Sequence, residues 1–392
     1  MANPLYDRLI APLDGRASDF LILADGRTLS GDAFHRLAAR QAGALVAAGL
    51  VPGDRLAVQV EKSPEALALY AACVMSGVVF LPLNTGYKAD ELEYFVSDSQ
   101  AGAVICGPGA EETLRAIAGS AKVLTLAADG SGSLSDGAAA QPDRFDVASR
   151  GEDDLAALLY TSGTTGRSKG AMLSQSNLLS NALTLVEEWR YTADDVLLHA
   201  LPIFHTHGLF VASNVMLAAG GSMIFLSKFD VDTVLRFLPQ STSMMGVPTF
   251  YTRLLDDARF DREICKGMRL FTSGSAPLLA ETHRAFEART GHRILERYGM
   301  TETNMNTSNP YEGDRRAGTV GFPLPGVEAR VMADGADGPL TTACFSLHML
   351  VYTVGRQYTL RQLTDILTAA GFEGVHALPS HGGYFVVVAT KP

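Results

Sequence analysis

The sequence predicts a layered α/β protein that ends in a short α+β tail. From residue 33 onward, segments with helical periodicity alternate with short apolar runs, which is the pattern of parallel strands connected by helices. Hydrophobic residues make up 47% of the chain and charged residues 19%, a composition that excludes a disordered or fibrous protein. The pattern changes near residue 332, so the 392 residues predict three regions, 1–150, 151–332 and 333–392.

The first region, residues 1–150, predicts a doubly wound βαβαβ unit. Its first helix is rich in alanine and leucine and is ended by Gly49 and Pro52. A polar, glycine-rich stretch at 127–150 predicts a surface excursion or linker. The predicted elements are helices at Ala33–Leu50, Pro64–Ser76 and Glu91–Ser97, and strands at Leu56–Glu61, Val78–Leu83 and Ala103–Cys106.

The second region, residues 151–332, predicts another α/β set. Each of its apolar runs is followed by a helical or loop segment, and no fixed-period repeat is present. The predicted strands are Leu155–Tyr160, Val196–Leu201, Ser222–Leu226, Ser243–Val247, Leu270–Ser273 and Arg293–Glu296.

The third region, residues 333–392, predicts one helix and a closing hairpin. The helix runs from Leu360 to Ala370, with Thr359 as its N-cap and Gly371 at its end. A polar turn at His381–Gly383 separates the predicted strands Gly374–Leu378 and Tyr384–Ala389. So few elements cannot bury a large core of their own, and we expect this tail to depend on the rest of the chain.

Net charge and hydropathy exclude several kinds of partner. The formal charge of −10 gives no general attraction for nucleic acid or an anionic membrane surface. No apolar run approaches the roughly 18 residues of a membrane span, and the N-terminus lacks the pattern of a signal peptide, so we expect a cytoplasmic protein. The widely spaced Cys73, Cys106, Cys265 and Cys344 favour buried free thiols over a zinc site or a disulfide framework.

The sharpest local signal is the segment Tyr160–Gly170, YTSGTTGRSKG, which directly follows an apolar strand. Its glycines expose backbone N–H groups, its hydroxyls can donate to phosphate oxygens, and Lys169 adds a positive charge. The spacing is not that of a Walker A loop, because Gly163 and Gly166 are too close and Lys169 precedes Gly170. The segment therefore predicts a polyphosphate-binding loop, with a serine- and threonine-rich surface turn as the alternative.

This loop closely resembles the phosphate-binding signature of the adenylate-forming enzymes, which include acyl-CoA synthetases, luciferases and peptide-synthetase adenylation domains. Four further segments resemble signatures of that family in the same order. The resemblance covers about residues 15–332 and is greatest to malonyl-CoA synthetases between His199 and Pro310. The four segments are Pro202–Gly208, Ser273–Pro277, Glu296–Thr303 and Gly318–Gly326.

The resemblance implies an ATP-dependent acid–CoA ligase. A carboxylate attacks the α-phosphorus of ATP to give an acyl-adenylate and pyrophosphate, and the thiol of coenzyme A then attacks the acyl-adenylate to give a thioester and AMP. The implied catalytic residues are Thr161, Lys169, Thr301 and Glu302, and Glu302 is the implied ligand of Mg²⁺. The implied nucleotide-binding residues are Thr161, Ser162, Gly163, Thr164, Thr165, Gly166, Lys169, Gly274, Ser275, Ala276, Tyr298, Gly299 and Thr301.

The implied acid is malonate or a similar short dicarboxylate. Its second carboxylate needs a buried cationic partner, ideally a guanidinium in bidentate geometry, and the resemblance assigns this role to Arg284. His205, His207 and Met300 complete the implied acid site. The alternative for Arg284 is a solvated arginine on a helix surface, and for each histidine it is a structural role in the core.

The sequence departs from the family beyond the large domain. The family's ribose-binding aspartate, its hinge and its small domain with a catalytic lysine are not recognisable, and after Lys266 the next lysine is Lys391. The tail instead resembles the C-terminal end of class I O-methyltransferases, without their cofactor loop. The first hypothesis is therefore an acid–CoA ligase that is impaired because its small domain is missing. The alternatives are a catalytically inactive nucleotide-binding or regulatory module, and a methyltransferase-related protein. The oligomeric state is left open.

Overall fold

The structure is a computed structural model that describes residues 3–161, 167–329, 368, 373–379 and 385–390. The chain divides into two compact units, Met1–Pro325 and Gly326–Pro392. Residues 162–166 of the predicted phosphate loop, the predicted helix at 360–370 apart from Thr368, and Cys344 lie outside the described residues.

The first unit consists of helices and strands in alternation. Its strands are β1 (Asp19–Leu23), β2 (Thr28–Ser30), β3 (Arg55–Gln59), β4 (Val79–Pro82), β5 (Ala103–Cys106), β6 (Lys122–Thr125), β7 (Leu155–Thr161), β8 (Lys169–Ser174), β9 (Val196–His199), β10 (Ser222–Phe225), β11 (Ser243–Gly246), β12 (Leu270–Ser273), β13 (Leu295–Met300), β14 (Asn304–Ser308) and β15 (Phe322–Pro323). Its helices are α1 (Gly31–Ala47), α2 (Pro64–Ser76), α3 (Ala89–Ser99), α4 (Glu111–Ile117), α5 (Ser133–Ala139), α6 (Gln175–Glu188), α7 (Asn214–Ala219), α8 (Val231–Phe237), α9 (Pro248–Leu255) and α10 (Ala280–Thr290).

These strands form two sheets. The described strands of one sheet follow the order β6-β5-β3-β4-β7-β8, with parallel pairing except between β7 and β8. The described strands of the other follow the order β15-β14-β13-β12-β11-β9-β10-β1-β2, parallel from β13 to β1 and antiparallel at both ends. The predicted α/β class is confirmed.

Sheet membership crosses the predicted boundary at residue 150 in both directions. Strands β7 and β8 follow that boundary in the sequence but join the sheet of the first region. Strands β1 and β2 precede it but join the other sheet through the pairing of β1 with β10. The division into 1–150 and 151–332 stays a prediction, since long-range strand pairing leaves no mark in local periodicity. The predicted linker at 127–150 also contains the short helix α5.

Helix α2 shows how local sequence signals set the two ends of a helix. Ser63 caps its N-terminus by accepting from the backbone N–H of Ala66, and Pro64 occupies the first turn. Gly77 ends the helix with φ of 72°, a left-handed conformation that favours glycine. Between these signals the helix is buried almost throughout, and it packs against α1. The predicted and observed bounds of α2 are identical.

The described cysteines match the prediction made from their spacing. Cys73, Cys106 and Cys265 are buried free thiols, as predicted. Burial raises the pKa of the Cys106 thiol to about 11, so this group is neutral at physiological pH. Within the described part of the chain, no helix is long and apolar enough to cross a membrane.

The second unit, Gly326–Pro392, contains an antiparallel hairpin. It is formed by β16 (Glu373–Pro379) and β17 (Phe385–Thr390). His376 pairs with Val388 and Pro379 with Phe385, with an irregularity between Glu373 and His376. The two predicted strands are therefore confirmed, and each ends one residue beyond its predicted end. The predicted turn His381–Gly383 lies outside the described residues.

Candidate functional site

The two sheets meet at two predicted catalytic residues. Thr161 ends β7, and Glu302 lies in the tight turn between β13 and β14. The Thr161 hydroxyl Oγ1 donates to Glu302 Oε1 at 3.2 Å. Asn304 closes this turn with φ of 54°, and a Cβ atom on Gly299 would overlap the Asn304 carbonyl oxygen. The sequence therefore brings together a hydroxyl and a carboxylate from opposite sheets, with Thr301 beside them.

The stems of the predicted phosphate loop are held by α3. Thr161 pairs with Lys169 across the β7–β8 hairpin, and the Lys169 side chain is exposed. The Tyr94 hydroxyl donates to the Ser168 carbonyl at 2.8 Å, while the Arg167 guanidinium lies 5.0 Å from the centre of the Tyr94 ring. The predicted loop residues Ser162, Gly163, Thr164, Thr165 and Gly166 lie between these stems and outside the described residues.

A cleft beside this contact is lined from both sheets. Asn84 and Tyr87 follow β4, and Tyr160 belongs to β7, whereas Phe204 and His205 come from the loop after β9. The complete lining is Pro82, Leu83, Asn84, Tyr87, Leu159, Tyr160, Phe204, His205 and Thr301. The cleft therefore combines an aromatic wall with one histidine and the hydroxyl of Thr301, which suits a small ligand with an apolar part and a polar end.

The turn after β12 carries the next group of predicted residues. Gly274 is buried, whereas Ser275 and Ala276 are exposed, and Ser275 adopts φ of 65°. The Glu296 carboxylate holds the end of this turn by accepting from the backbone N–H of Leu278 at 2.9 Å. Burial raises the pKa of Glu296 to about 7, since it outweighs the stabilising effect of the Leu278 N–H on the charged form.

The two predicted acid-site histidines have different surroundings. His205 is exposed in the cleft, whereas His207 is buried at the start of a π-helical segment, His207–Ser213. His207 Nδ1 lies 3.1 Å from Ser275 Oγ. Burial lowers the pKa of His207 well below the usual histidine range, and the nearby Arg297 charge lowers it further, so the ring is neutral.

The remaining predicted residues are less closely associated with the cleft. Arg284 lies on α10 and is exposed, although the resemblance implied a buried cation. Tyr298 and Met300 are half-buried in β13, and the Tyr298 hydroxyl donates to Met300 Sδ at 3.7 Å. Neither Arg284 nor Met300 belongs to the cleft lining described above.

Sequence reasoning missed a buried lysine beside the site. Lys62 follows β3, and its ammonium donates to His199 Nδ1 at 2.9 Å and to the carbonyls of His199 and Leu201 at 2.8 and 2.9 Å. His199 Nε2 in turn donates to the Gly208 carbonyl at 2.9 Å. This chain fixes both ends of the loop that carries Phe204 and His205. A lysine between an apolar strand and an N-cap serine was the available signal.

A second charged residue was also missed. Arg297 lies in β13 and is only 3% exposed. It belongs to the segment Glu296–Thr303, and no role was predicted for it from the sequence. Two adjacent charged residues inside a strand, Glu296 and Arg297, could have drawn attention to it, because such residues are seldom fully buried without a partner.

The residues at the Thr161–Glu302 contact suit a magnesium nucleotide. Mg²⁺ prefers oxygen ligands and is commonly held by one or two carboxylates together with substrate phosphates. Glu302 offers one exposed carboxylate there. In the described ranges, no group of three or more histidine, cysteine, aspartate or glutamate side chains could hold a metal ion by itself.

Comparison with known proteins finds relatives over most of the chain. The AMP-binding enzyme family matches residues 13–344. A malonate–CoA ligase of Arabidopsis thaliana is 37% identical over 313 residues, which are 74% of this chain and 52% of that protein. The mitochondrial malonate–CoA ligase ACSF3 of Bos taurus is 38% identical over 280 residues, 67% of this chain and 47% of that protein. This chain thus spans about half the length of the curated relatives it matches.

Solved structures agree with these relatives. ATP-bound MatB from Rhodopseudomonas palustris has a TM-score of 0.83 at 48% identity, and the match covers 100% of this chain and 79% of that one. A benzoate CoA ligase from Burkholderia xenovorans has a TM-score of 0.73 at 24% identity, covering 83% of this chain and 66% of that one, and shares the fold. The resemblance to the adenylate-forming enzymes is therefore confirmed.

Proposed function

Because the chain belongs to the AMP-binding enzyme family, we propose that its first unit is the ATP- and acid-binding part of an acid–CoA ligase of the malonyl-CoA synthetase type. The observation that carries this proposal is the hydrogen bond from Thr161 to Glu302. It joins the stem of the predicted phosphate loop to the turn that follows β13, at the edge of a cleft lined from both sheets. A nucleotide held there would meet hydroxyl, lysine and carboxylate groups together.

The phosphate side of the proposed site contains Thr161, Lys169, Thr301 and Glu302. Lys169 and the hydroxyls of Thr161 and Thr301 would bind phosphate oxygens, and Glu302 would hold the magnesium that accompanies ATP. Bound Mg²⁺ supplies charge neutralisation on the phosphate oxygens. Tyr298, Gly299 and the turn Gly274–Ala276 would form the adenine side. Positioned cations are the main source of catalysis, because charge builds up on the phosphoryl oxygens as the acid attacks.

The acid side faces the aromatic wall of the cleft. We propose malonate or a similar short dicarboxylate as the acid, since relatives at 37% and 38% identity are malonate–CoA ligases. His205 and His207 would lie over the acid, Met300 would contact it, and Arg284 would meet its second carboxylate near the surface. The neutral state of His207 favours hydrogen bonding over charge pairing in this role.

The second half of the proposed reaction is formation of the thioester. Coenzyme A would be the co-substrate of the complete reaction. The resemblance assigns part of this step to a small domain, and the 392 residues span about half the length of the curated relatives. The proposal for the described part of the chain is therefore limited to binding of ATP and the acid and to adenylation. The second candidate function is a nucleotide-binding or regulatory module without catalysis.

Isothermal titration calorimetry with ATP and Mg²⁺ tests the nucleotide part directly. Lys169→Ala and Glu302→Gln should each weaken binding by about 10-fold or more, because hydrogen bonds to charged groups contribute about 1.5–3 kcal/mol. Lys228→Ala and Glu112→Gln are matched controls, since both side chains are exposed and lie away from the cleft lining. No nucleotide binding by the folded wild-type chain would refute the proposal.

The cellular location also stays a prediction. A cytoplasmic protein was expected from the sequence, whereas the relative from Bos taurus is named as mitochondrial. Imaging of the tagged full chain in its own cells would distinguish the two.

A further inference from the structure

We propose that Gln59 and Lys62 are positioning residues that together set the width of the cleft, and thereby the size of the acid that it accepts. The inference rests on the proposed function and deepens it, because it concerns selectivity at the same site. Gln59 is the last residue of β3, and Lys62 lies in the short connection from β3 to α2. Both side chains are buried, at 6% and 8% exposure.

Gln59 holds the wall of the cleft that follows β4. Its side-chain amide donates from Nε2 to the backbone carbonyls of Asn84 and Tyr87, at 3.0 and 3.2 Å. These two residues begin and end a turn that is closed by a bond of 3.0 Å from the Tyr87 N–H to the Asn84 carbonyl. Both line the cleft. One buried amide group therefore fixes the whole turn against the end of β3.

Lys62 holds the start of the loop that follows β9. Its ammonium donates to His199 Nδ1 at 2.9 Å and to the carbonyls of His199 and Leu201 at 2.8 and 2.9 Å. A lysine suits this position because an ammonium places three donors on one nitrogen atom. The centre of the Phe225 ring lies 4.2 Å from that nitrogen and stabilises its charge.

This loop is closed at its neck, so a contact at its start also fixes its tip. His199 Nε2 donates to the Gly208 carbonyl at 2.9 Å, which joins the two ends of the loop. Pro202 packs so closely against Gly208 that a Cβ atom on the glycine would overlap the proline carbonyl oxygen. Between these ends the loop carries Phe204 and His205, which line the cleft. The ammonium at the neck therefore positions the second wall.

A second cavity shows that the connection from β3 to α2 reaches both walls. Its lining includes Glu61 and Lys62 from the connection, Thr85 from the turn after β4, and Phe204 from the loop after β9. Phe204 also lines the cleft itself. The two segments that form the walls and the connection that holds them are therefore neighbours in space.

The width of the cleft depends on walls that come from different sheets. Gln59 and Lys62 are three residues apart on one short connection, so a movement of that connection shifts both walls together and keeps their separation constant. A binding site must be held by its supporting residues within about 0.5 Å to select a ligand by shape. Malonate is small, and a narrow, fixed cleft favours it over a bulkier dicarboxylate. Loss of either tie should weaken malonate and spare the bulkier acid.

The test compares malonate with phenylmalonate, which has the same two carboxylates and a bulky ring. Gln59→Met and Lys62→Met each remove one tie at similar side-chain length. Gln41→Met is the matched control, because Gln41 is 1% exposed and donates to the Glu65 carbonyl at 3.1 Å but does not line the cleft. The half-saturating concentration of each acid is measured on the full chain by exchange of labelled pyrophosphate into ATP.

We expect Gln59→Met and Lys62→Met each to raise the half-saturating malonate concentration about 10-fold, the scale of one or two lost hydrogen bonds, and to leave phenylmalonate within about 3-fold. Lys62→Gln keeps two donors without the charge and should give an intermediate change, which keeps the test valid if Lys62→Met fails to fold. Equal changes for both acids, or the same loss of selectivity in Gln41→Met, would overturn the inference.

Hydrogen exchange followed by mass spectrometry tests the two ties without any activity. Gln59→Met should speed exchange of the Tyr87 N–H, which closes the turn after β4, by about 10-fold or more. The Leu209 N–H, which bonds within the loop after β9, should keep its wild-type rate in that variant. Lys62→Met should have the reverse effect on the two amides.

The two proposals can fail separately. Amide exchange that changes in one wall for each variant, in a chain without acid-dependent pyrophosphate exchange, would refute the proposed function and support the positioning role. Unchanged amide exchange and unchanged acid selectivity in both variants, beside intact pyrophosphate exchange, would refute the positioning role and leave the proposed function standing.

Discussion

Protonation of Glu296 should make the stability of the first unit depend on pH near neutrality. The carboxylate is buried, 3% exposed, and its pKa is raised from 4.5 to about 7. The folded state therefore binds this proton more tightly than the unfolded state does. The resulting stabilisation is fully present below about pH 4.5 and is lost as the pH rises through about 7.

The size of the effect follows from the shift. At 1.36 kcal/mol per pKa unit, a rise from 4.5 to about 7 corresponds to about 3 kcal/mol of unfolding free energy. At about 2.1 cal/mol/K per residue, the unfolding entropy of the unit Met1–Pro325 is on the order of 0.7 kcal/mol/K, so the melting temperature should shift by about 4 °C. The change to test is Glu296→Gln, which keeps an acceptor for the Leu278 N–H but does not titrate.

The assay is thermal and denaturant unfolding of wild type and Glu296→Gln between pH 4.5 and pH 8. The difference in unfolding free energy, wild type minus variant, should fall by about 3 kcal/mol over that range. Other titrating groups affect both proteins equally, so the difference isolates Glu296. Parallel pH profiles would show that the carboxylate is solvated and would refute this reasoning.

Three further predictions concern buried and semi-buried contacts. Lys62→Met removes three hydrogen bonds that fix the loop with His205, so the KM for the acid should rise about 10-fold in the exchange assay, with the KM for ATP unchanged. Tyr94→Phe removes the bond to the Ser168 carbonyl and should weaken ATP binding about 3- to 10-fold by calorimetry, with the malonate response unaltered. Asp195→Ala removes a carboxylate that accepts two hydrogen bonds from Arg269, at 2.6 and 2.7 Å. The free energy of unfolding in urea should fall by about 3–5 kcal/mol, whereas an unchanged value would show that the pair is solvated.

Local signals account for the elements that the sequence predicted well. Helix α2 begins after a serine cap and a proline and ends at a left-handed glycine, and each of these acts within a few residues. Strands Ala103–Cys106 and Leu270–Ser273 were predicted at their observed bounds, and both are short and buried on both faces.

Features that depend on distant contacts escaped the sequence. Nothing in Asp19–Leu23 reveals that it pairs with Ser222–Phe225 some two hundred residues later. The phosphate loop was found because its glycines and hydroxyls are contiguous. Lys62 and Arg297 were missed because burial of a charge depends on which surfaces close over it, and the sequence around each residue does not specify that.

Malonate-dependent exchange of labelled pyrophosphate into ATP tests the central claim most directly, because it requires ATP binding, acid binding and adenylate formation in one site. The full chain should show exchange that depends on malonate and Mg²⁺, and Glu302→Gln should reduce it by about 10²-fold or more. Exchange that is absent from a folded chain able to bind both ATP and malonate would contradict the account and favour a nucleotide-binding module without catalysis.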